Sequence, residues 1–160
     1  MRERMVKLAI ADTPYFLYSD FELRRKGNTY TAQTLSLLRE EYREDVFYFI
    51  IGADSLYQIE QWFHPELVMK LAVLLVAGRA YHDDHQPFDR QIEYLTARYG
   101  AKIYPIRCRE MDVSSEEIRA SVSDGHSIHG FVPDAVEEYI KDHGLYGGCV
   151  KNPVLAGKGE

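Results

Sequence analysis

Cysteine is scarce in this chain of 160 residues: only Cys108 and Cys149 occur, spaced neither as a disulfide framework nor as a Cys-x-x-Cys metal site. A reducing cytoplasm is therefore the expected setting. No apolar run approaches the length needed to span a bilayer, so no membrane partner is expected. The N-terminus, Met1-Arg2-Glu3-Arg4-Met5-Val6-Lys7, is charged and amphipathic and does not read as a signal peptide. Basic residues are in deficit. A net charge of −6 argues against a general binder of nucleic-acid backbones, while leaving room for a local cationic pocket. There is no internal repeat, no nucleophile elbow, no P-loop and no GxGxxG fingerprint.

What is present is a soluble globular composition, 46% hydrophobic and 28% charged, in a chain long enough for one domain with a real core. The stretch Phe47-Tyr48-Phe49-Ile50-Ile51 runs into Gly52 and then Asp54. A continuous apolar run of this kind reads as a strand over 46–51, in a parallel sheet covered on both faces. Leu71 to Ala77 is a second such run, and Ala101 to Cys108 a third. Helical spacing predicts helices from Met1 to about Asp12, from Thr29 or Thr31 (either a candidate cap) to Tyr42, over 54–61, from Pro65, from Phe88 to Tyr99, from Ser114 to Ser123, and from Pro133 to Gly144. Tyr15 to Tyr18 reads as a short strand. The alternation implies an α/β fold: a Rossmann-like, mostly parallel sheet with helices on both faces. Residues 1–146 form the domain, and residues 147–160, with few large apolar side chains, read as a flexible tail.

In such sheets ligands bind beyond the carboxyl ends of strands, which is where Gly52, Asp54 and Trp62 fall. A plain strand-to-helix turn capped by Asp54 is the competing reading. Val113-Ser114-Ser115-Glu116-Glu117-Ile118-Arg119 carries the S-x-x-E spacing of a capping box. The start of that helix favours an anion, two hydroxyls add donors, and Arg119 can reach back with a charge suited to phosphate. An ordinary capped helix with a surface arginine stays open beside it. Thr29-Tyr30-Thr31 opens a helix whose amides suit a carboxylate, or simply caps it. Trp62 either stacks on a flat ring or packs in the core. His82-Asp83-Asp84-His85 is too compact along one loop to surround a metal ion, and His126 and His129 fit a solvated turn, so no metal ligand is assigned.

Together these pieces resemble the bacterial nicotinate-mononucleotide adenylyltransferases of the nucleotidyltransferase α/β superfamily. The matching stretches are Asn28-Thr29-Tyr30-Thr31 with Thr34-Leu35, Phe49-Ile50-Ile51-Gly52-Ala53-Asp54-Ser55, Trp62, Arg79 after a strand, 113–119 beside the family's I-S-S-T-x-I-R, and a terminal Leu145-Tyr146. The resemblance implies transfer of an adenylyl group from ATP to nicotinate mononucleotide, giving deamido-NAD and pyrophosphate, with Mg²⁺ bound to the ATP phosphates. It implies that Ser114, Ser115 and Arg119 hold the ATP phosphates, that Gly52, Asp54 and Arg79 line the nucleotide site, and that Tyr30, Thr31 and Trp62 hold the nicotinate. Two departures stand out. The family's G-G-T-F-D-P turn and H-x-G-H stretch, whose histidines bind phosphate at the transferred group, are not in the sequence, and Glu116 replaces a common threonine. The chain is thus expected to be an N-terminally truncated version with no catalytic residue of its own, inactive alone. Its exposed sheet edge would invite homo-oligomers. The alternatives are a related nucleotidyltransferase acting on nicotinamide mononucleotide or pantetheine phosphate, and a non-catalytic nucleotide-binding or assembly module.

Overall fold

The computed structural model describes residues 1–77, 87–107 and 113–147. The contacts divide the chain into two compact units, one of residues 1–19 and 111–160 and one of residues 20–110.

The unit of residues 20–110 is an α/β layer. Its elements are helix α2 (Thr31–Glu41), strand β1 (Phe47–Gly52), helix α3 (Ala53–Gln58), a 3₁₀ turn (Ile59–Gln61), helix α4 (Pro65–Leu71), strand β2 (Ala72–Ala77), helix α5 (Phe88–Tyr99) and strand β3 (Ile103–Ile106). The sheet order is β1-β2-β3, and both pairings are parallel. Each crossover carries helix, as parallel pairing requires. The apolar runs explain the strands: β2 sits centrally and its Leu74 and Val76 are wholly buried. Ile51, Ala72, Leu74, Val76 and Ile103 share one face of the sheet, and Phe47 and Phe49 join them. Against that face pack Ala32 and Leu35 of α2, Leu56 of α3, Ile59, Val68 and Met69 of α4, and Leu95 of α5. The opposite face carries Tyr48, Ile50 and Tyr104, which are 62%, 65% and 57% exposed.

Helix ends follow local chemistry. Pro65 opens α4 at its first position. Gly100, with φ +65°, closes α5 and sends its N–H to the Thr96 carbonyl. The connection before α2 is tied down by Arg25, which donates to Gln33 Oε1 at 2.8 Å and to Thr34 Oγ1 at 3.4 Å, while Thr34 Oγ1 donates to Glu22 at 2.6 Å.

In the other unit, helix α1 (Arg2–Ala9), helix α6 (Ser115–Ser123) and helix α7 (Asp134–Asp142) gather around Ile128, Val136 and Ile140. Met5, Leu8, Ile118, Val122, Val132 and Leu145 complete this smaller core. Glu137 is buried beside it and is well supplied. Its Oε1 accepts from Ser127 Oγ at 3.0 Å and from the Ile128 N–H at 3.3 Å, and Lys141 Nζ lies 2.8 Å away. These partners, Lys141 first, hold the Glu137 carboxyl below its ordinary pKa.

Two local expectations fail. Tyr15–Tyr18 is not a strand: turn bonds run from Thr13 N–H to the Ile10 carbonyl and from Phe16 N–H to the Thr13 carbonyl. Tyr15, Phe16 and Leu17 are 80%, 56% and 91% exposed, and an aromatic run makes a strand only where a neighbouring strand takes its backbone. The first helix also stops at Ala9 rather than Asp12, since Ile10 takes φ −102°, ψ 0°. Among the described residues no helix is long and apolar enough to cross a membrane.

Candidate functional site

At the carboxyl end of β1 the chain turns directly into α3. Gly52 is the last strand residue and the helix cap, with φ −79° and ψ 162°. That backbone is open to any residue, and among the described residues a Cβ built there meets nothing within 4 Å, so none of them demands glycine here. Asp54 follows as the second residue of α3, exposed and in the first turn, where a carboxylate suits the helix dipole. Gly52 rather than Asp54 is the cap.

Ten residues after β1 ends, the 3₁₀ turn closes in Trp62, whose N–H bonds the Ile59 carbonyl at 3.1 Å. Trp62 is half-buried, with its ring edge-on to Phe49 at 6.2 Å. It packs on the core and still presents surface. Phe63 follows, 43% exposed, its ring 4.5 Å from that of Tyr30. His64 then takes the left-handed conformation, φ +50°, which a non-glycine residue adopts only against strain. The Leu67 N–H to His64 carbonyl bond and the contact of His64 Nδ1 with Glu66 Oε1 at 2.9 Å fix the reversal. That contact is also the main reason why the Glu66 carboxyl titrates below its usual range.

The result is a cleft of about 340 Å³ lined by Thr29, Tyr30, Thr31, Gln61, Trp62 and Phe63. The structure thus brings Tyr30, Thr31 and Trp62 together from segments thirty residues apart in sequence. The cap of α2 is Tyr30 itself, φ −113° and ψ 139°, and no side chain bonds back to the helix start. Neither Thr29 nor Thr31 caps it, because the extended Tyr30 occupies the capping position with a side chain that cannot fold back onto its own helix. The helix start opens on the cleft with its positive dipole end. Phe63 and Gln61 were not singled out from the sequence; the adjacency of Trp62 and Phe63 in a short turn was the available signal.

The second group of predicted residues lies in the other unit, on α6. Ser114 is its cap, and the capping box is complete: Glu117 N–H donates to Ser114 Oγ at 3.1 Å and Ser114 N–H to Glu117 Oε2 at 2.6 Å. The backbone N–H of Ser114 is the first cause of a lowered Glu117 pKa. Ser114 Oγ is engaged within the box, accepting from the Glu117 N–H and bonding the Glu117 carboxylate. Ser115 and Arg119 are exposed and stand four residues apart, on one face of the helix. Among the described residues Arg119 has no hydrogen bond or ion pair. Glu116 is also exposed in the first turn.

Arg79, His82 and His85 fall within 78–86, outside the described residues. His126 is exposed in its turn. His129 Nδ1 lies 3.0 Å from Asp134, and with Glu137 these three offer donor atoms within 4.8 Å of one another. The Lys141 ammonium already occupies the cation's place at Glu137.

A parallel sheet with helical crossovers defines the class as a Rossmann-like α/β fold. Solved structures share this fold. The Plasmodium falciparum nicotinic acid mononucleotide adenylyltransferase matches over 91% of this chain, as the complex with APC (TM-score 0.67, 20% identity, 74% of that chain) and as the complex with NaAD (TM-score 0.68, 19% identity, 72% of that chain). No family model matches. Curated relatives are nearer in sequence. A protein of Lachnoclostridium phytofermentans named "Probable nicotinate-nucleotide adenylyltransferase" is 47% identical over 145 residues, 91% of this chain and 72% of its own length. Proteins of the same name from Caldicellulosiruptor bescii and Syntrophotalea carbinolica are 39% and 37% identical, again covering 91% of this chain and 72% of theirs. The chain belongs to the nicotinate-nucleotide adenylyltransferase family.

Proposed function

We propose that the chain carries the substrate-binding parts of a nicotinate-nucleotide adenylyltransferase, which joins ATP and nicotinate mononucleotide into deamido-NAD. The observation that carries this reading is the cleft of Tyr30, Thr31, Trp62 and Phe63. The nicotinate ring of the mononucleotide is a flat pyridinium cation, and the Trp62 and Phe63 rings offer it faces. Its carboxylate suits the positive end of α2, where no side-chain cap competes. The uncharged amide of nicotinamide gains less from that dipole, so the arrangement favours the acid.

In the proposed reaction an oxygen of the mononucleotide 5′-phosphate bonds to the α-phosphorus of ATP. The bond from that phosphorus to the bridging oxygen breaks, and pyrophosphate leaves with the electron pair. No group is oxidised or reduced. Catalysis of this kind rests on positioning and charge neutralisation. Ser114 and Ser115 donate hydroxyl protons to ATP phosphates and Arg119 supplies the fixed cation; Mg²⁺ enters with ATP as part of the substrate. Gly52 leaves the strand end open for the nucleotide, Asp54 accepts from a ribose hydroxyl, and Arg79 completes the nucleotide side. Glu116 opposes phosphate there. An ATP-dependent step in a chain with two cysteines fits the cytoplasm.

Residues 1–160 contain no H-x-G-H stretch. The polypeptide by itself is therefore expected to bind these substrates without normal turnover. Purified protein is tested for pyrophosphate release with ATP and nicotinate mononucleotide, and for quenching of Trp62 emission by the acid and by the amide. Turnover at a normal rate overturns the inactivity. Equal quenching by acid and amide overturns the carboxylate role. No quenching by either removes the nicotinate cleft from the reading.

A further inference from the structure

We infer that Glu60 is a positioning residue for the ring-binding wall, holding the turn that presents Trp62 and Phe63 through a clamp on α5. This rests on the nicotinate reading of the cleft. Glu60 is the middle residue of the 3₁₀ turn, two positions before Trp62. Its carboxylate reaches α5, more than thirty residues away in sequence. Oε1 accepts from the Tyr99 hydroxyl at 2.7 Å and from the Tyr94 hydroxyl at 3.2 Å, and Arg98 Nε stands 3.6 Å off. Arg98 also donates to the Tyr94 hydroxyl, and its guanidinium lies 5.8 Å and 5.3 Å from the Tyr94 and Tyr99 ring centres. The bond to Glu60 is the first cause of a raised Tyr99 pKa, so that hydroxyl stays a donor throughout the neutral range.

A second tie sits one turn earlier. The buried Gln91 donates from Nε2 to the Leu56 carbonyl of α3 at 3.5 Å. Helix α5 thus grips the α3-to-turn segment at two heights, and Ile59 between them is wholly buried. Below the turn the left-handed His64 reverses the chain. Trp62 and Phe63 are therefore suspended between a clamp and a reversal. Their own ring contacts are edge-on to Phe49 and tilted on Tyr30, neither a face-to-face stack, so the clamp is the polar tie that holds the turn carrying them. None of the three α5 residues lines the cleft. Glu60 acts through the backbone of the next two residues.

Trp62 is the sole tryptophan, so its emission reports this wall directly. Glu60→Ala, Glu60→Gln and Tyr99→Phe are compared with the wild-type chain. Emission anisotropy and acrylamide quenching are read without ligand, and quenching is then titrated with nicotinate mononucleotide. Glu60→Ala is expected to lower the anisotropy, expose the ring to acrylamide and weaken nicotinate mononucleotide binding about tenfold, the effect of one lost charge-assisted hydrogen bond. Tyr99→Phe gives part of the same change. Glu60→Gln restores both readings, because its amide oxygen still accepts from the two hydroxyls. The inference is overturned if Glu60→Ala keeps wild-type anisotropy and affinity, if it only lowers the melting temperature, or if Glu60→Gln is as damaging as Glu60→Ala. If the wild type fails to bind nicotinate mononucleotide, the cleft reading fails instead, and the ligand-free measurements still decide the clamp.

Discussion

Replacing Arg119 by alanine separates a phosphate ligand from a surface arginine. The side chain is exposed on α6, one turn beyond Ser115, and has no partner among the described residues. Arginine and alanine are both good helix formers, so unfolding free energy should change by no more than about 0.5 kcal/mol. A charge-assisted hydrogen bond to phosphate is worth roughly 1.5–3 kcal/mol, but an exposed cation is screened by water, and unit charges about 4 Å apart in bulk solvent gain only about 1 kcal/mol. The working range is therefore about 1–2 kcal/mol, or an ATP dissociation constant raised about five- to thirtyfold. Isothermal titration with MgATP measures it, and the difference should shrink as salt rises. Ser114→Ala provides the contrast. It removes the acceptor of the Glu117 N–H, so it should cost about 1 kcal/mol of stability as well as affinity. An ATP affinity for Arg119→Ala within twofold of wild type, with unchanged salt dependence, would refute the phosphate role and leave α6 an ordinary capped helix.

Three further outcomes follow from the packing and the charges. Leu74→Ala empties a wholly buried position on the central strand and should cost about 2–5 kcal/mol in urea unfolding; a loss under 1 kcal/mol would mean the sheet does not pack as described. Glu117 and Glu137 both have folded pKa values below the ordinary carboxylate. A lowered folded pKa gives stability that is present above the unfolded value and lost as pH falls through the folded one, so melting temperature should drop below about pH 4.3. Glu137→Gln, which cannot ionise, should flatten that drop, and an identical acid limb in the variant would contradict it. Ile50 is 65% exposed on the sheet face opposite the helices; if that face adds to the self-association expected of an exposed sheet edge, Ile50→Lys should shift concentrated samples towards monomer in sedimentation, and an unchanged profile would place any contact elsewhere.

The elements legible in the sequence were those fixed by local chemistry. Phe88–Tyr99 with its closing Gly100, Pro65 at a helix start and the Ser114–Glu117 box were all readable, since each depends on residues within one or two turns. The apolar runs announced β1 and β2 as parallel strands for the same reason. Tyr15–Tyr18 misled because aromatic content signals a strand without saying whether another strand will pair with it. Of the site, Tyr30, Thr31 and Trp62 could be named from the sequence, while Phe63 and Glu60 could not. The Tyr30–Phe63 contact and the Glu60–Tyr99 bond join residues thirty or more positions apart, and a left-handed His64 has no sequence signature at all.

The register of the sheet has a measurable kinetic consequence. Strand β2 lies between two ladders, whereas among the described residues β1 pairs with β2 alone. Every second amide of β1 therefore points away from the sheet's interior and should trade its hydrogen for deuterium long before the amides of β2, whose release awaits global opening. Residues 47–52 would then carry a two-residue alternation of fast and slow sites that stops at Gly52, and the tempo of backbone opening would change where the strand turns into α3.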